Sequence, residues 1–186
     1  SGDATMGGTL AEITKFANWF KSLPGHKLFV PGNHDFLFEK NEYLARDLMR
    51  DPSVTVLINQ QYIYKTFTRE IVFWGTPVQP EYHGWAFNVK DDKKRALYYS
   101  AIPEETNFLI THSPPFGILD KNKVKKQCGD EELLKKIKTL PNLLYHQFGH
   151  IHESYGQVEI NGLLYINASH CGIPYPHTNP PIYIKL

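Results

Sequence analysis

The sequence predicts a layered α/β domain whose loops gather polar residues along one edge. Two observations carry that reading. Three times, a short apolar run ends in a polar loop containing histidine. Residues 27–30 meet Pro31-Gly32-Asn33-His34-Asp35, residues 107–111 deliver His112, and residues 143–148 deliver Gly149-His150-Ile151-His152. Helical patterns alternate with these runs. In layered α/β folds, ligands are bound just beyond the carboxyl ends of the strands.

The elements follow in order. Thr9 and Glu12 have capping-box spacing. Leu10, Ile13, Ala17 and Phe20 then recur at helical spacing, which predicts a helix to about Ser22, closed by Pro24-Gly25. Residues 27–30 read as a buried strand and residues 41–50 as a helix. Residues 54–58, 62–67 and 71–74 are β-branched and aromatic runs, expected as adjacent strands. Residues 75–90 are rich in Pro, Gly and aromatics and read as a long ordered loop. Residues 93–100 are expected to be helical. Asp130 is placed to cap a helix carrying Leu133, Leu134 and Ile137. Residues 158–160, 163–167 and 182–184 read as closing strands.

At 186 residues, 41% hydrophobic and 21% charged, the chain reads as one globular domain spanning 1–186. A net charge of +1 with no long run of one sign does not suit an extended nucleic acid. No apolar run approaches the roughly 18 residues of a membrane span. Two cysteines, Cys128 and Cys171, are too few for a disulfide framework. The expectation is a cytoplasmic protein without membrane contact, its thiols in a reducing compartment.

Each motif has a plain reading as well as a chemical one. In Gly149-His150-Ile151-His152, an extended backbone would turn both imidazoles to one side and Ile151 into the core. Gly149 would allow close backbone approach or a positive φ. The same pair also suits surface histidines on an exposed strand. Gly32-Asn33-His34-Asp35 alone reads as a turn. Chemically, Asn33 offers a neutral oxygen to a metal, and the adjacent His34 suits proton transfer to a leaving oxygen. Asp35 suits support of the loop or an outer hydrogen bond to the imidazole. His112 alone at a strand end is most simply structural, and Asp3 alone is commonplace. The ordered combination decides. Asp3, Gly-Asn-His-Asp, a strand-end His and Gly-His-x-His offer imidazole, carboxylate and amide oxygen, a mixture suited to paired divalent metals. Tyr82-His83-Gly84-Trp85 could form one wall of the substrate cleft or pack as loop aromatics on the sheet; it and His170 beside Cys171 are read as structural, and residues 121–126 as a solvated basic turn.

Further segments carry a resemblance. They are Lys15-Phe-Ala-Asn-Trp-Phe, Gly84-Trp-Ala-Phe-Asn88, Thr111-His-Ser-Pro-Pro-Phe-Gly-Ile-Leu-Asp120, Gly149-His-Ile-His-Glu-Ser-Tyr-Gly156, Ile166-Asn-Ala-Ser169 and Thr178-Asn-Pro-Pro181. With them the chain resembles the calcineurin-like metallophosphoesterases, and more narrowly their metallophosphoesterase-domain-containing, UPF0046-like branch. The resemblance implies a four-layer α/β/β/α sandwich with two divalent metals of the Mn, Fe or Zn type at one edge. It implies that Asp3 bridges both metals. Asn33, His112 and His150 bind the second metal, His152 binds the first, and His34 is the catalytic histidine. It further implies hydrolysis of a phosphoester, foremost a phosphodiester, by a metal-bridged hydroxide, with a small phosphoester or nucleotide as substrate. The family pattern also opens with Asp-x-His ahead of Gly-Asp, whereas only Ser1 and Gly2 precede Asp3 here. The expectation is that this motif and the first strand lie upstream in a longer chain. The alternative is a catalytically weak nucleotide- or phosphate-binding or scaffold module with an incomplete metal site.

Overall fold

The computed structural model describes residues 1–172 and 179–185. Helix α1 spans Leu10–Ser22, and its Thr9–Glu12 capping box forms in both directions. Strand β1 (Lys27–Phe29) pairs in parallel with β2 (Val54–Val56), across the short helices α2 (Phe36–Lys40) and α3 (Glu42–Leu48). β3 (Gln60–Lys65) and β4 (Glu70–Thr76) form a hairpin. The two-residue strands β5 (Gln79–Pro80) and β6 (Asn88–Val89) pair within the aromatic loop. Then come α4 (Asp92–Ser100), β7 (Phe108–Thr111), α5 (Glu131–Ile137), β8 (Tyr145–Phe148), β9 (Gly156–Ile160) and β10 (Leu163–Asn167).

The main sheet has the order β3-β4-β7-β8-β10-β9. Its four inner strands are parallel, and each edge strand is antiparallel to its neighbour. Alternation of side chains along the strands builds the layers. On β4 and β7, Ile71, Phe73, Phe108 and Ile110 face one way, into a core shared with Val30 and Leu57 next to β1 and β2. Trp74 and Leu109 face the other way, into a core with Tyr99 of α4 and Leu133 and Ile137 of α5. Phe29 and Val56 turn to the far side of the small sheet, against Ile13, Ala17, Phe38 and Ala45 of α1, α2 and α3. The layers therefore run helix, sheet, sheet, helix, as the resemblance implied. Between the sheets, an aromatic row crosses four strands: Tyr62, Phe73, Phe108 and Tyr145, with ring centroids 6.3, 5.0 and 5.3 Å apart. Each such pair adds about 0.5–1.5 kcal/mol beyond its buried area.

Some expectations are corrected. Residues 54–58 do not lie beside the hairpin. The chain turns at Asn59, in the left-handed region at φ 51°, and leaves β2 in the other sheet. Helix α2 was not anticipated. Residues 182–184 form no strand: Pro180 and Pro181 just before them donate no N–H, and β8 is already flanked by β7 and β10. Ile184 instead packs on the inter-sheet core, and the Lys185 carbonyl accepts from the Tyr145 hydroxyl. Thr178 lies outside the described residues. Among the described residues, no helix is long and apolar enough to cross a membrane.

The helix pair α4–α5 is joined by Asp130, which caps α5 by accepting from the Glu132 N–H, as its spacing predicted. Its other oxygen accepts from Arg95 Nε at 3.0 Å and from the Tyr99 hydroxyl at 2.7 Å, and all three residues are buried. Removing one partner of a buried ion pair strands the other. Asp130→Ala is expected to lose about 3–5 kcal/mol, read as a lower denaturation midpoint in urea. An unchanged midpoint would contradict the role of this joint.

Candidate metal centre

The loops that leave β1, β7 and β8 meet at one edge of the two sheets. Gly32, in the loop after β1, sits where that loop touches the segment carrying Asp3 and the His112 end of β7. A Cβ there would collide with the backbone nitrogen and carboxylate of Asp3 and with the His112 ring. Only glycine permits that approach.

Asp35 holds two of these segments together. Its carboxylate is fully buried and accepts from the N–H groups of Gly32, Ala4 and Thr5 and from the Thr5 hydroxyl. Burial raises its pKa, and these donors oppose the rise. Asp35 therefore supports the loop and does not hold the imidazole. His34 Nδ1 instead donates to the Met6 carbonyl at 2.7 Å. Its backbone N–H donates to Asp3 Oδ1 at 2.9 Å, which fixes the Asp3 carboxylate beside the Gly-Asn-His turn.

Asp3, His112 and His150 present ligand atoms that all lie within 4.8 Å of one another. The His112 and His150 ring centroids are 4.8 Å apart. His112 is buried at the end of β7. Its Nδ1 donates to the Ser1 carbonyl at 2.9 Å, which leaves Nε2 facing Asn33 Oδ1 at 2.8 Å and Asp3 Oδ2 at 3.4 Å. Four of the five residues expected as metal ligands are thus brought together: Asp3, Asn33, His112 and His150. His152 lies two residues on, at the head of a 3-10 turn over His152–Ser154, and is not part of the three-residue group.

The Gly-His-Ile-His segment is not extended. β8 ends at Phe148, and His150 has φ 67°, so the left-handed residue is His150 and not Gly149. Asp3 has φ 55°. A non-glycine residue held there costs on the order of 1–3 kcal/mol and persists where the surroundings enforce it. The enforcement is local. The Ile151 N–H donates to the Gly149 carbonyl at 2.7 Å across His150, the Gly149 N–H anchors the turn on the His112 carbonyl, and Ile151 is buried, as expected.

The electrostatics fit a cation. Burial alone would raise the Asp3 pKa, but the His112 charge and hydrogen bond, with the His34 N–H, outweigh it and hold the carboxyl below its usual range. Burial would lower His112, and Asp3 overrides it upward. His150 is pushed down to about 3, first by burial and then by the His112 charge, so it stays neutral and its lone pair is available. A carboxylate, an amide oxygen and imidazole nitrogens converge on one point, and the second nitrogen of His112 is tied to a carbonyl. That is the usual outer support of a metal-bound imidazole, and the donor set suits Mn, Fe or Zn.

One contact at this site is not legible in the sequence. Trp85, weighed there as a cleft wall and read as a structural loop aromatic, lies against the His34 ring with centroids 4.2 Å apart. The signal available was its nearness to Gly84 in an aromatic loop, which does not specify a target.

The Calcineurin-like phosphoesterase family matches residues 1–154 of the chain. Human Metallophosphoesterase domain-containing protein 1 is 36% identical over 206 residues, covering 100% of this chain and 63% of that protein. A UPF0046 protein of Caenorhabditis elegans is 32% identical over 185 residues, covering 92% of this chain and 61% of its own length. The chain thus spans about three fifths of the length of these relatives. The crystal structure of a phosphopantetheinyl hydrolase from Mycobacterium tuberculosis superposes with a TM-score of 0.58 at 15% identity, covering 94% of this chain and 78% of that one, a likeness of fold. Strand-end loops, ligand types and relatives agree, and the chain belongs to the calcineurin-like phosphoesterase family, in the branch of the metallophosphoesterase-domain-containing and UPF0046 proteins.

Proposed function

We propose that this protein is a metal-dependent phosphoesterase that hydrolyses a small phosphodiester, nucleotides included. The observation that carries the reading is the convergence of Asp3, Asn33, His112 and His150 on one point, with His34 beside them on the same turn. These four residues would hold one divalent metal, and Asp3 with His152 would contribute to a second. Such metals supply Lewis acidity toward phosphoryl oxygens and toward water.

The chain's own residues account for the rest. The Met6 carbonyl accepts a hydrogen bond from the Nδ1–H of His34, so Nε2 is the atom left for proton transfer. A leaving alkoxide needs a proton as its bond to phosphorus breaks; the imidazolium form of His34 gives it the Nε2 proton and is left as the neutral Nδ1–H ring. Asp3 holds the His34 backbone, which ties the proton donor to the ligand set. No Ser or Cys nucleophile motif accompanies these residues, so no covalent intermediate is assigned.

Two predictions follow from this assignment. In the absence of metal, His112 is held protonated by Asp3, with its pKa raised above the ordinary value of 6.5. A metal must displace that proton. Affinity should therefore fall about tenfold per pH unit below the His112 pKa and level off above it. Binding near pH 6 should release up to about one proton, read by calorimetry in buffers of different ionisation enthalpy. Binding without proton release would remove His112 from the ligand set.

The second compares two variants. His34→Ala should keep its metal and slow an alkyl phosphodiester by roughly 10²–10⁴-fold. The loss should shrink for a nitrophenyl ester, whose leaving group needs little protonation. His150→Ala should lose metal and activity together. Equal metal loss in both variants would make His34 a ligand. A fully metallated parent without activity would favour the binding-module reading.

A further inference from the structure

Among the described residues, the His34 side chain makes one hydrogen bond, from Nδ1 to the carbonyl of Met6, a residue 71% exposed. A single bond to an exposed bend fixes one point of the ring and leaves the ring free to tilt about it. The second restraint comes from Trp85. Its ring lies 4.2 Å from the imidazole, centroid to centroid, at an interplanar angle of 46°, and Phe36 backs it at 5.8 Å.

The loop that presents Trp85 is tied down on both sides of it. Before Trp85, the carbonyls of Tyr82 and His83 each accept from Asn88 Nδ2 at 3.0 Å. After it, the Ala86 N–H donates to the carbonyl of Asn33 at 3.1 Å, and the Phe87 N–H donates to Glu39 at 2.6 Å. Asn88 is itself oriented from within. Its Oδ1 accepts from Gln79 Nε2 at 3.0 Å, Gln79 Oε1 accepts from the Ser113 hydroxyl at 3.1 Å, and the Ser113 carbonyl accepts from the Thr111 hydroxyl at 2.6 Å. Thr111 and Ser113 flank His112. A buried polar chain therefore runs from the His112 turn to the loop carrying Trp85, and the Asn33 backbone joins it from the other ligand loop. His83 and Phe87 sit in the left-handed region, at φ 53° and 60°, an unfavourable conformation that this bonding sustains. An aromatic loop that merely covered the sheet would need none of this; Trp85 touches His34 and Phe36.

We propose that Trp85 is a positioning residue for His34, clamped by Asn88 and Gln79, and that it holds the imidazole where proton transfer to the leaving group occurs. The kinetic part of this proposal rests on the phosphoesterase reading; the contact itself does not. With a misaligned proton donor, the chemical step suffers while binding does not.

The test uses the full-length protein and four variants: Trp85→Ala, Trp85→Phe, His34→Ala and the double variant His34→Ala/Trp85→Ala. Metal content should match the parent in all. Trp85→Ala should lower kcat for an alkyl diester by roughly 10- to 100-fold, with KM changed less than about threefold. Trp85→Phe, which keeps a planar ring, should recover most of kcat. The double variant should be no slower than His34→Ala alone, since the tryptophan acts through the histidine. Independently of activity, the ring proton resonances of His34 should carry an indole ring-current displacement that Trp85→Ala abolishes.

A raised KM with unchanged kcat would make Trp85 a substrate-binding wall and overturn the proposal. So would multiplicative losses in the double variant, or His34 resonances that do not respond to Trp85→Ala. A metallated parent with no activity would overturn the phosphoesterase reading, and the resonance comparison would still decide whether Trp85 holds His34.

Discussion

The site depends on one buried carboxylate. Asp35 accepts from Gly32, Ala4 and Thr5 and so binds together the segment carrying Asp3 and the turn carrying Asn33 and His34. A carboxylate in the interior is costly unless its lone pairs are satisfied. The cheapest way to satisfy this one is to keep both segments in place. Their closeness then requires glycine at position 32, where any side chain would occupy the space of Asp3 and His112. It also puts the His34 N–H on Asp3 and leaves the Asp3 and Asn33 oxygens aimed at the same imidazole. The candidate metal centre is therefore assembled by backbone donors, with its like-signed lone pairs held close by a proton on His112.

The layers explain why distant segments can meet at all. Parallel strands β4, β7 and β8 all end at one edge, and the alternation of Ile71, Phe73 and Trp74 locks the two sheets in register with the helices outside them. Rigid strands deliver His112 and His150, and the loops beyond them do the adjusting. Strain collects in those loops, at Asp3 and His150 within the ligand set and at His83 and Phe87 beneath Trp85. None of these four is glycine, and two of them, Asp3 and His150, carry side chains of the candidate site.

Much of this was legible in the residues. The Thr9–Glu12 box, the Asp130 cap and the apolar runs leading to Asn33, His112 and His150 depend on contacts near in sequence, or on a periodicity that one strand or helix shows by itself. What failed depended on distant partners. Residues 54–58 have the composition of a strand beside the hairpin, but the left-handed Asn59 assigns them to the other sheet. Residues 182–184 have strand composition, but the Lys185 carbonyl meets the Tyr145 hydroxyl of β8, a strand with both edges occupied. In Gly-His-Ile-His the period-two rule assumed an extended backbone, and the hydrogen bond from the Ile151 N–H to the Gly149 carbonyl closes a bend at His150 instead. The contact of Trp85 with His34 was not legible because His34 is remote in sequence and the loop of Trp85 has no periodicity to read.

The central claim is that Asp3, Asn33, His112 and His150 share one metal ion. A crystal of the protein soaked in zinc and measured across the zinc absorption edge tests it directly. The account predicts an anomalous difference peak roughly 2.0–2.2 Å from an Asp3 carboxylate oxygen, Asn33 Oδ1, His112 Nε2 and a ring nitrogen of His150. No peak among those four residues at saturating zinc, or a peak elsewhere with His112 Nε2 still bonded to Asn33, would contradict it.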